Sequence, residues 1–125
     1  MSFEISSDAL PAYFHIKFAG PISPHGAADL LSALISLPQW EKNTPLLIDY
    51  RNSTREHYTY NDTSMIVEIM MKYESRIGTG KCAFIVDKPQ ELWINRTYQF
   101  LYAKKFKNET KIFQDYDAAV KWIKE

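Results

Sequence analysis

The sequence predicts an α/β fold built on a mostly parallel sheet, and three observations carry that expectation. Segments of strand character alternate with segments of helical spacing along most of the chain, the order produced when parallel strands are joined by crossover helices. Two short runs, PLLIDY at 45–50 and CAFIV at 82–86, are apolar almost without interruption, which suits strands covered on both faces. Each predicted helix opens on a capping residue or closes on a glycine or proline, so its ends are marked independently of its periodicity.

Taken in order, FEIS and AYFHIKFAG both alternate. Phe14, Ile16 and Phe18 share one face, and Tyr13, His15 and Lys17 share the other, the period of a half-exposed strand. The two segments read as a hairpin across SDALP. Ser23 then stands as an N-cap with Pro24 at the first helical position, and Ala27, Leu30, Leu31, Leu34 and Ile35 fall on one stripe before Pro38 stops the helix. PLLIDY should be a central strand, followed by a polar loop, DYRNSTREHYT. Ile66, Ile69, Met70, Tyr73 and Ile77 resume helical spacing, with Gly78 where a left-handed cap belongs. CAFIV is the next buried strand. Asp87, with Pro89 two residues on, starts a third helix through roughly Lys105. KIFQ is a last short strand, and Asp115 caps a terminal helix in which Ala119, Val120 and Ile123 share a face.

Composition narrows the function classes. A chain of 125 residues with 46% hydrophobic content is the size and make-up of one globular domain spanning 1–125, large enough to hold a core without disulfides or structural metal. Fifteen basic residues balance fifteen acidic ones, so the cationic excess that drives binding to a phosphate backbone is missing and no nucleic-acid partner is expected. The lone Cys82 sits in a buried strand as an inert packing group. The start, MSFEISSDALPAYF, has neither a basic lead nor a long apolar run, so a cytoplasmic location is expected, and no stretch reaches the length of a transmembrane segment. His15, His25 and His57 show no ligand spacing, and GTGK at 78–81 lacks the earlier glycine and following Ser or Thr of a phosphate loop and precedes a strand. No metal and no cofactor are expected.

The element order and three phrases, LLIDYRN, CAFIVDKPQELWINRTYQF and the closing IFQDYDAAVKWIKE, resemble the small bacterial SpoIIAA-like proteins, relatives of the STAS domain of sulphate transporters and anti-sigma factor antagonists. The resemblance covers nearly the whole chain. It implies a four- or five-stranded, mostly parallel sheet with about four helices packed mainly on one side. It also implies a role in protein association or ligand sensing rather than catalysis. One STAS mechanism is phosphorylation of a serine just after the central strand. The nearest candidates are Ser53 and Thr54, in a loop longer and more basic than the compact Asp-Ser-Ser-Gly phrase of the antagonists.

Ligands on open α/β sheets bind outside the carboxyl ends of the strands, and two such ends are marked here by Asp49-Tyr50-Arg51 and Asp87-Lys88. If those strands are neighbours, carboxylates and cations meet at one rim. There Asp49 pairs with Arg51 and Asp87 caps the third helix, or the two acids share acid and base work. An enzyme would need Asp49, Asp87 and His57 to converge, and a non-enzymatic domain is expected instead. The third helix carries two apolar stripes, Ile94, Tyr98 and Leu101 on one and Trp93, Thr97 and Phe100 on the other. The second stripe would dock a protein partner, complete a homodimer or line a pocket, or else fill the core. Alternatively, a small apolar or amphipathic ligand would lie between that helix and the sheet, its polar end meeting Arg51 or Arg96.

Overall fold

The computed structural model describes residues 2–87 and 107–125. Five strands, β1 (Ser2–Ser6), β2 (Phe14–Pro21), β3 (Leu46–Thr54), β4 (Cys82–Ile85) and β5 (Thr110–Phe113), lie in one sheet in that same order. β1 pairs antiparallel with β2, closing the expected hairpin, and every later pairing is parallel. The described helices are α1 (Pro24–Ile35), α2 (Tyr60–Ile77) and α3 (Tyr116–Ile123). The predicted third helix, with Trp93, Arg96 and Phe100, lies outside the described residues.

Local chemistry accounts for the helix ends. The Gly26 N–H donates to Ser23 Oγ at 3.0 Å, and Pro24 opens α1. Thr59 and Asp62 form a reciprocal capping box at the start of α2. Gly78 ends α2 at φ 87° and ψ −147°, a conformation natural to glycine alone, and a Cβ there would run into Asn43. The Asp115 side chain accepts from the Asp117 N–H to start α3.

Two apolar clusters sandwich the sheet. On one face Phe14, Ile16, Phe18, Leu46, Ile48 and Phe84 meet Leu30 and Leu34 of α1 and Ile66 and Ile77 of α2. On the other, Leu47, Ala83 and Ile85 meet Ala119 and Ile123 of α3. β3 pairs on both sides and sends alternate residues into both clusters, which is why its apolar run is unbroken. The central place expected for it is therefore observed. Two of the described helices cover one face and the third covers the other.

Two expectations are corrected. The face of β2 carrying Tyr13 and His15 is not open to water: Tyr13 is buried and His15 half-buried, because α3 covers it. Nor does a polar loop begin at Asp49, since β3 continues to Thr54. The register runs from Lys17 opposite Asp49 to Ala19 opposite Asn52, two steps on β2 against three on β3. One extra residue at Tyr50-Arg51 is thus accommodated as a β-bulge. Beyond it Asn52, Ser53 and Thr54 resume pairing with Ala19, Gly20 and Pro21, so backbone pairing extends the strand through residues that polarity alone assigns to a loop.

Candidate functional site

The carboxyl ends of β3 and β4 are adjacent, with Asp49 opposite Ile85 in the ladder. Asp49 is the last inward residue before the bulge and is only 5% exposed. The bulge turns Arg51 back over it. The Arg51 backbone N–H and Nε both donate to Asp49 Oδ1 at 3.0 Å, and Nη2 donates to Oδ2 at 2.8 Å. Burial pushes the Asp49 carboxyl up, but the hydrogen bonds and charge of Arg51 outweigh it and hold the group below the ordinary carboxylate value. Both carboxylate oxygens are therefore occupied by a bidentate partner.

Around this pair lies a polar crevice of about 130 Å³ lined by Tyr50, Arg51, Ser53, Thr54, Arg55, Val86 and Asp87. The structure thus brings together Arg51, Ser53, Thr54 and Asp87 at one rim, with Asp49 beneath them. Ser53 Oγ donates to the Tyr50 carbonyl at 2.6 Å, closing the bulge locally. Thr54 is exposed, and its carbonyl accepts from the Ile22 N–H at 2.9 Å. Asp87 is exposed and adds to the negative field felt by Arg51. Its carbonyl accepts from Gln114 Nε2 at 2.8 Å, which ties the end of β4 to the turn before α3. Trp93, Arg96 and Phe100 lie outside the described residues.

Aromatic stacking holds Tyr50 in the lining of the crevice. The Tyr50 ring stacks on Phe18 at 4.9 Å and 11° and on Phe84 at 5.9 Å and 28°, and burial pushes its phenol well up. After the rim, His57 sits exposed at φ 60°, while Tyr58 and the fully buried Thr63 share a hydroxyl hydrogen bond of 2.6 Å. That bond anchors the connection into α2.

A neighbouring polar cluster escaped the sequence reading. Arg51 lies over the Tyr116 ring at 5.9 Å, and the same ring packs against His15 at 5.6 Å. Among the described residues His15 Nε2 is buried with no hydrogen-bond partner. Burial and the neighbouring Lys17 hold the His15 ring below the ordinary imidazole value, the pull of Asp49 being opposed by Arg51. Burial and the Tyr116 hydroxyl push the Tyr13 phenol up. The signal was present in PLLIDY: a central strand covered on both faces requires its neighbour β2 to be covered there too.

Among the described residues no group of three or more His, Cys, Asp or Glu could hold a metal ion, and no described helix is long and apolar enough to cross a membrane. Cys82 is buried, and burial pushes its thiol up to about 12. Gly78 and Gly80 in GTGK approach Asn43 and Thr44 too closely for a side chain, so that motif is a helix end and a turn.

Comparison with protein-family models and with curated proteins returned no match. Among solved structures, the chain is similar to an uncharacterised protein of the DUF3478 family with a SpoIIAA-like fold from Shewanella loihica PV-4. The TM-score is 0.65 and the identity 16%, over 98% of this chain and 92% of that one. The chain has a SpoIIAA-like α/β fold.

Proposed function

We propose that this chain acts as a non-enzymatic interaction or regulatory domain of SpoIIAA-like type, docking a protein partner or a second copy of itself at the carboxyl-end rim of β3 and β4. One observation carries this. The polar groups most suited to chemistry are already engaged with one another, Asp49 with Arg51 and Ser53 with the Tyr50 carbonyl. Around them is a shaped surface that presents Arg51, Thr54, Arg55 and Asp87 about a polar crevice. A general base must be free to reach the proton it abstracts, whereas a docking rim needs fixed charge and shape.

Native mass spectrometry of the purified protein, read for subunit count and retained mass, tests this. The expected result is a dimer or a heteromeric complex without added small-molecule mass, weakened when Asp87→Lys and Arg55→Glu reverse the rim charges. A monomer that retains no partner, or a complex indifferent to both reversals, would overturn the rim as the docking site.

A second reading, capture of a small apolar or amphipathic molecule, is supported by two apolar cavities on the α1–α2 face of the sheet. Each is about 60 Å³, and both are lined by Leu31, Ile48, Met70 and Phe84. Ser23 and Tyr50 add polar atoms to the lining of one, and Glu74, Asn108 and Thr110 to that of the other. A retained mass of a few hundred daltons in the same spectrum, lost on Met70→Trp, would favour this reading over the first.

A further inference from the structure

We propose that His15 is a proton-operated latch on α3, such that a proton taken up by its ring loosens the seat of that helix and uncovers the apolar sheet face beneath. The geometry is specific. α3 enters its seat through Tyr116, whose ring packs against His15 at 5.6 Å and carries Arg51 over it at 5.9 Å. His15 Nε2 is buried there without a hydrogen-bond partner among the described residues. In a neutral ring with its proton on Nδ1 that atom is a bare acceptor, a tolerable loss. A protonated ring places an N–H and a share of positive charge at the same point, where no described residue accepts the bond.

The surrounding charges do not rescue the cation. Among the described residues the titratable and charged groups around it are Lys17 on its own strand, Tyr13 just before that strand, Asp49 and Arg51 on β3, and Tyr116 on α3. Asp115 and Asp117 flank Tyr116 in the first turn of α3, both exposed, with the Asp115 carboxylate accepting from the Asp117 N–H. Among the described residues Asp49 is the only carboxylate that pulls on the ring, and both of its oxygens are held by Arg51. Burial and Lys17 act in the opposite direction and depress the affinity of His15 for a proton. By linkage, the closed seat therefore binds a proton less readily than the open one, so acidification shifts the population toward the open state. What α3 covers is the cluster of Tyr13, Leu47, Ala83 and Ile85, an apolar surface that becomes available when the helix lifts.

Amide hydrogen exchange of the full chain, corrected for intrinsic rates and compared between about pH 7.5 and about pH 5.5, on either side of free imidazole, reads the latch directly. Protection across Asp117–Ile123 is expected to fall several-fold more than protection across α2 on acidification. His15→Gln is expected to flatten that difference, while His25→Gln and His57→Gln, at exposed positions, leave it intact. Equal loss of protection in α2 and α3, or a dependence that survives His15→Gln, would overturn the proposal. If His15→Gln does not fold, proton NMR of the unmodified chain decides. The His15 ring and the α3 amides should then shift with one midpoint below that of free imidazole. Titration of the ring without movement of the α3 amides would sink the latch.

Discussion

Replacing Arg51 with methionine should cost about 2 kcal/mol of stability at neutral pH, most of it the penalty of leaving a buried carboxylate without its cation. Removing one partner of a fully buried ion pair costs roughly 3–5 kcal/mol. Here the Arg51 side chain is 38% exposed and that of Asp49 only 7%, so water screens part of the interaction. The bond from the Arg51 backbone N–H to Asp49 Oδ1 does not involve the side chain that the variant replaces. Both facts pull the figure below the fully buried case. The pH dependence gives the sharper test. The folded-state value of Asp49 lies below its ordinary 3.8, so the stability it contributes is complete above that value and is lost as pH falls through the folded-state value. Without Arg51, burial dominates and the carboxyl moves up instead. The gap between the variant and the native chain should therefore be largest at neutral pH and shrink below about pH 4. Urea denaturation at the two pH values measures it, and Asp49→Asn combined with Arg51→Met should recover much of the loss, since the pair is directly coupled. A variant within about 0.5 kcal/mol of the native chain at neutral pH, or a gap that widens in acid, would refute the assignment of Asp49 as a structurally paired acid.

Three further outcomes are expected. Gly78→Ala should destabilise by about 1–3 kcal/mol in urea melts, because φ is positive there and a Cβ meets Asn43. Leu47→Ala should cost about 3 kcal/mol, because the fully buried side chain anchors the sheet to α3; a thermal melt compared with that of an exposed-site control such as Met65→Ala would show it. The Cys82 thiol, pushed up to about 12 by burial, should react with a chromogenic disulfide reagent near neutral pH only as fast as the chain opens. Fast labelling of the folded protein would contradict its burial.

The order of the described elements, the caps at Ser23 and Asp115, the glycine stop at Gly78 and the doubly covered β3 and β4 were all legible in the sequence. Each depends on short-range chemistry: a hydroxyl or carboxylate within reach of free N–H groups, a backbone angle that only glycine adopts with ease, an apolar run that tolerates water on neither side. The rim was legible in the same sense. Asp49 and Asp87 end two apolar runs, and strands of one parallel sheet bring such ends together.

The arrangement around that rim was decided by the tertiary structure. Whether Ser53 and Thr54 belong to strand or loop depends on a partner strand more than thirty residues earlier in the chain, which continues to pair with them past the bulge. That Arg51 folds onto Asp49 follows from the extra residue in β3, a mismatch of length between two strands that neither strand contains alone. His15 looked like a solvent-facing residue because β2 alternates. It is half-buried because α3, a hundred residues later in the chain, closes over that face and sets Tyr116 against it. Local sequence determines what an element is and where it stops, since those free energies arise within a few residues. Which polar groups share an interior depends on contacts between distant segments, which exist only once the sheet and its covering helices have assembled.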